Sequence, residues 1–146
     1  MLGEKTGRGR FDDGQGSWYE GDFVDGAFHG MGKYQFAYNQ PKTYTGQFAN
    51  NNMNGKGVMV WDEQGDSVYT RYEGDYVDGK MQGHGTLFYR NGDKYIGEFS
   101  NDNKEGSGIF YDITSQQKRM GTWKNDKRVA WTGNPLPYSI HKHLTT

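Results

Sequence analysis

Along most of this chain, aromatic residues and glycines alternate with polar residues, and turn-forming residues interrupt the alternation at regular intervals. In 18–23 (WYEGDF), Tyr19, Gly21 and Phe23 share one face of a strand, while Glu20 and Asp22 point the other way. Residues 24–30 supply a turn with Gly26 at its left-handed position. Gly30, Gly32, Tyr34 and Phe36 then return to the first face, so 18–36 is predicted to be a β-hairpin. Bare glycines on one strand would let the rings of the neighbouring strand lie flat against the backbone.

The same unit recurs. Tyr72, Gly74, Tyr76, Gly79, Gly83 and Gly85 repeat the offsets of Tyr19, Gly21, Phe23, Gly26, Gly30 and Gly32. Two further copies carry Tyr44, Gly46, Phe48, Asn51, Gly55, Gly57 and Tyr95, Gly97, Phe99, Asp102, Gly106, Gly108. Asn51 and Asp102 replace one glycine each, and Asn and Asp are the other residues that best tolerate positive φ. This is a repeat protein. The predicted array covers 1–130: a half repeat at 3–18, full repeats at 19–43, 44–71, 72–94 and 95–118, and a partial repeat at 119–130. A tail or cap occupies 131–146, with 131–138 read as a strap across the last strand.

Local features refine the pattern. Connections 37–43 and 62–71 are longer than the unit needs and should project on one rim as a binding surface. Pro41 belongs to a loop or edge. Asn91-Gly92 reads as a type I′ turn. Val58 and Val60 suggest that their strand is covered on both sides. Gly83→Val is expected to destabilise more than Gly46→Ala, through positive φ and a displaced ring. Gly3, Gly7 and Gly9 match the last three glycines of the unit without a preceding strand, so an open edge is expected there.

Composition changes the picture in one respect. Leu, Ile, Val and Phe number only 22 of 146 residues, a level at which disorder has to be considered. The net charge of -1 and the 11 Tyr, 8 Phe and 4 Trp argue for a single folded domain with a core of rings on glycine. Cysteine is absent, which excludes disulfides and thiolate chemistry. No apolar run approaches membrane-spanning length, and the first residues match neither a secretory signal nor a mitochondrial presequence; a cytosolic address is expected.

The spacing of these aromatics and glycines resembles the MORN repeat (membrane occupation and recognition nexus) over about residues 3–123. The resemblance implies an all-β fold, an elongated, twisted antiparallel sheet of stacked hairpins. It also implies a scaffolding role in cilia and flagella, at membrane–cytoskeleton junctions or in basal complexes. Methyltransferase and phosphoinositide-kinase activities that accompany some MORN arrays do not carry over, because the chain has no room for those domains.

Candidate chemistry is sparse. His29 and His84 sit at different repeat offsets, and His141 and His143 lack further ligands nearby. The pairs Asp22/Asp25 and Asp75/Asp78 recur with the repeat and read as a solvated face rather than general acids. Gly-x-Gly occurs without the lysine and helix of a phosphate loop. No catalytic residue, cofactor or metal site is predicted, and the pI of 6.4 argues against nucleic acid.

The partner-binding candidates form three groups. Gly7, Gly9 and Phe11 would pair with a strand of another chain. Lys118, Arg119, Lys124, Lys127 and Arg128 form a basic patch that acidic lipid could use. Trp131, Pro135, Pro137 and Tyr138 belong to the tail. The expected function is a non-catalytic scaffold or adaptor within a ciliary, axonemal or cytoskeletal assembly of proteins. The alternative is a phosphoinositide- or acidic-membrane-binding module at the membrane periphery.

Overall fold

The computed structural model describes residues 5–139. Twelve strands form one antiparallel sheet: β1 (Gly7–Asp12), β2 (Trp18–Val24), β3 (Ala27–Gln35), β4 (Lys42–Ala49), β5 (Asn52–Trp61), β6 (Tyr69–Val77), β7 (Lys80–Tyr89), β8 (Lys94–Ser100), β9 (Asn103–Asp112), β10 (Gln117–Lys124), β11 (Lys127–Trp131) and β12 (Leu136–Pro137). Strands β1 to β11 lie side by side in chain order, and β12 pairs with β10. Sequential hairpins are what the repeating turn signals dictate, since each strand finds its partner across a short connection.

Register follows from one close approach. Gly21 faces Gly32, and a Cβ on Gly21 would lie 2.4 Å from the Gly32 Cα. A Cβ on Gly32 would lie 2.3 Å from the Tyr19 hydroxyl oxygen and 2.4 Å from the ring itself. The ring therefore lies across bare backbone, and its hydroxyl donates to the Asp22 carbonyl at 2.7 Å. Tyr44, Tyr72 and Tyr95 repeat this, donating to the carbonyls of Gln47, Asp75 and Glu98. All four tyrosines are fully buried.

Those tyrosines alternate with the second aromatic of each repeat in a continuous edge-to-face line. Tyr19 meets Phe23 at 5.2 Å and, in the next hairpin, Phe48 at 4.9 Å. Tyr44 meets Phe48 and Tyr76; Tyr72 meets Tyr76 and Phe99; Tyr95 meets Phe99 and Trp123. Each such pair contributes about 0.5–1.5 kcal/mol beyond its buried area. This line is the core of a single-layer sheet, and it explains how so few aliphatic residues suffice.

The turns lock successive hairpins. Asn51 donates its backbone N–H to the Phe28 carbonyl at 3.0 Å and accepts the Phe28 N–H on Oδ1 at 2.9 Å. Asp102 forms the same pair of bonds with Met81, and Asp126 with Lys104. Gly79 can offer only its own N–H, to Met53. The replacements of glycine are thus compatible with φ values of 74° and 72° and also add an inter-repeat bond.

Several expectations are corrected. Asn91-Gly92 is not a type I′ turn: Asn91 has no positive φ, and the Gly92 N–H closes a turn onto the Tyr89 carbonyl, with Gly92 at φ 103°. This is the three-residue hairpin form, a turn followed by a left-handed glycine. Val60 is 42% exposed, so β5 is covered on one face only. The recurrent acids are not merely solvated: Asp22 and Asp75 accept the N–H groups of Met31 and His84, where each repeat bulges. Burial works against ionisation of Asp75, yet Lys56 and the His84 N–H hold its carboxyl below the ordinary range. Gly83 has φ 86° as expected, but its Cβ would meet the Asp75 carboxylate, not a ring. Gly46 is the tighter position, its Cβ falling 2.5 Å from the backbone of Gly57 and Lys56.

Candidate interaction surface

The sheet has an aromatic face and a polar face. Beside the buried line lie half-buried apolar side chains, among them Phe36, Met53, Trp61, Tyr69, Met81 and Tyr89. They stay half-exposed because, among the described residues, no second layer covers them. Two lysines sit among them. The Lys42 ammonium lies 4.7 Å over the Phe36 ring; burial lowers its pKa, and Asp102 works in the opposite direction. Lys104, at the position of Met53 and Met81, is only 7% exposed. Its ammonium bonds the Tyr89 hydroxyl at 2.9 Å and lies 3.5 Å from the Asp126 carboxylate. Burial raises the phenols of Tyr89 and Tyr95 to about 12.

On one rim, the 37–41 and 62–68 connections stand side by side and enclose an open cleft of about 580 Å³. The Asp62 N–H donates to the Pro41 carbonyl at 2.8 Å, tying one loop to the other. Arg90, from the next repeat, holds the second loop in place. Its Nε donates to the Ser67 carbonyl at 2.8 Å, and its Nη2 donates to those of Asp62 and Tyr69 at 3.1 and 3.3 Å. Nothing local in the sequence pointed to Arg90. Its role depends on the neighbouring loop being one repeat away.

The geometry so far is a hairpin unit with one buried tyrosine, two facing glycines and a clasping turn residue, repeated along one sheet. The MORN repeat model matches residues 19–37, 44–65, 72–94, 95–114 and 120–129. The chain belongs to the MORN repeat family. It is also 34% identical to "Alsin" of Homo sapiens and of Rattus norvegicus over 158 aligned residues. The alignment covers 99% of this chain and 9% of those relatives, so the chain spans less than a tenth of their length. MORN repeats are non-enzymatic and mediate protein or membrane interactions.

Within this MORN array, the residues singled out from sequence fall in different places. Gly7, Gly9 and Phe11 lie on β1, facing Phe23, Gly21 and Tyr19. Phe11 is half-exposed, with its ring 6.1 Å from Phe28. The basic residues do not form one patch. Lys124 faces Lys127, whereas Arg128 faces Trp123 on the aromatic side. Arg119 and Arg128 both lie over the Trp131 ring, at 5.0 and 4.5 Å, and Arg119 donates to the Gly133 carbonyl. Lys118 alternates with Arg119 along the strand and lies near Tyr111. Pro135 is exposed in the segment before β12, while Pro137 faces Gln117. The Tyr138 ring meets Tyr111 edge-on at 5.0 Å, and its N–H bonds the Gln116 carbonyl. Gly3, His141 and His143 lie outside the described residues.

Proposed function

We propose that this MORN chain is a non-catalytic scaffold or adaptor whose aromatic face docks other proteins of a larger cytoplasmic assembly, ciliary, axonemal or cytoskeletal. The observation that carries this reading is the row of half-buried Phe36, Met53, Trp61 and Met81 on a sheet face without a second layer among the described residues. Contiguous apolar surface of this kind marks interaction sites. Among the described residues β1 pairs only with β2, so its other edge is a further place for a partner strand, at Gly7, Gly9 and Phe11.

Affinity capture of the tagged chain from its own cells, washed at low and high salt, tests the reading. The expected result is a defined protein set that survives high salt and is lost in a Phe36→Ser/Met81→Ser variant. Contacts made by apolar burial are little affected by screening. A set that the variant retains unchanged would overturn the aromatic-face reading. Lipid and membrane proteins recovered at low salt alone would favour acidic-membrane binding instead. The split of Lys124 and Lys127 from Arg119 and Arg128 supports that alternative less well, because membrane binding draws on basic residues clustered on one side.

A further inference from the structure

The cleft between the 37–41 and 62–68 loops has walls and charge that the aromatic face lacks. Tyr38, Pro41 and Trp61 contribute its rings, and Asp62, Asp66 and Ser67 its polar side. Tyr38 is 86% exposed, leaving its ring available to a guest. Asp62 uses Oδ1 to accept the Gln64 N–H at 2.9 Å. Asp66 has no bonded partner among the described residues. Lys42 also lines the cleft, but its ammonium sits over Phe36, and the neighbouring Arg90 guanidinium binds three carbonyls; neither forms an ion pair with Asp62 or Asp66. Aromatic walls beside unneutralised carboxylates complement a cation that presents a flat or methylene-rich surface.

We propose that this cleft docks a basic, arginine-bearing segment of a partner protein. The guanidinium would stack on Tyr38 or Trp61 while its N–H groups reach Asp62 and Asp66. Trp61 borders both the cleft and the aromatic face, so such a segment could continue from a chain docked on that face. The proposal goes beyond the aromatic-face reading and is testable without it.

The experiment titrates the ¹⁵N-labelled intact chain with an acetylated, amidated Gly-Arg-Gly-Arg-Gly peptide and with its citrulline counterpart, which keeps the shape and removes the charge. The arginine peptide should shift the Trp61 indole N–H and the Gly65 and Asp66 amides, and the citrulline peptide should not. An Asp62→Asn/Asp66→Asn variant should bind about tenfold more weakly, equivalent to ~1.4 kcal/mol. Asn at 62 keeps an acceptor for the Gln64 N–H, and an otherwise unchanged spectrum reports the fold. A Met53→Ser/Met81→Ser variant of the aromatic face, which leaves Phe36 in place under Lys42, should bind the peptide as the parent does, which separates this proposal from the aromatic-face reading. Equal shifts from both peptides, shifts confined to acids outside the cleft, or undiminished binding by the Asn variant would each overturn it.

Discussion

At one rim of the sheet, five two-residue turns at 25–26, 50–51, 78–79, 101–102 and 125–126 have nearly identical backbones. Their first residues have φ between 48° and 51°, and their second between 71° and 84°. At the other rim the connections run from four to seven residues and are held in more than one way. Asp62 bonds the Pro41 carbonyl, Arg90 bonds the Val68 carbonyl through its backbone, and Asp93 accepts the Ile113 N–H. The strands between are the same, so the difference lies in what each rim must do. The first rim sets the spacing of the hairpins, and any departure there would propagate along the stack. The second rim is free to vary, and the cleft is found there.

The strands set the scale against which either rim is judged. Gly57→Ala would place a Cβ 2.2 Å from the Tyr44 ring, and we expect a loss of about 3 kcal/mol in urea denaturation. Gly46→Ala should come next and exceed Gly83→Val, since it collides with backbone whereas Gly83 adjoins a movable carboxylate. The opposite ranking would mean that positive φ, not close approach, limits the sheet.

The contrast between rims is tested by paired substitutions. Asp102→Ala removes the acceptor for the Met81 N–H and puts alanine at φ 72°, for an expected cost of about 1–2 kcal/mol. Gln40→Ala on the other rim should stay within about 0.5 kcal/mol. Equal costs would erase the distinction. Arg90→Ala should have a smaller global effect, about 1 kcal/mol, and a local signature. Hydrogen exchange should quicken at Gly65 and Tyr69 while the amides of Asn51 and Gly79 keep their protection.

The smallest effect at neutral pH concerns the rings themselves. Burial raises Tyr89 and Tyr95 from 10.0 to about 12. The folded state therefore holds these protons more tightly than the unfolded chain does. The stability linked to them is complete below pH 10 and is lost progressively as pH rises through about 12. The urea midpoint should fall across that window, and less steeply in a Tyr89→Phe/Tyr95→Phe variant. An unchanged slope would show that neither phenol resists ionisation.

Much of the fold was legible because its rules are local and repeated. The offset from Tyr19 to Gly32 is a fixed number of residues around a hairpin, so ring and glycine had to meet once the hairpin formed. Asn51 was legible as a positive-φ residue but not as a clasp on Phe28, because the clasp joins two hairpins. Asn91-Gly92 misled for the opposite reason. A strong local turn signal was overridden by the alignment of Tyr89 with Asp93. The basic residues at 118–128 looked like one patch because they are close in sequence, but strand alternation and the Trp131 ring distribute them between faces.

By itself the sequence determined the repeat, the hairpins, the position of each buried tyrosine and the membership of the MORN family, because period and steric exclusion act within one unit of chain. Only the tertiary structure decided that Arg90 fastens the 62–68 loop, that Lys104 is buried against Tyr89, and that two inserted loops enclose a cleft. Each of these joins residues from different repeats, whose distance depends on how the hairpins stack and not on their separation along the chain.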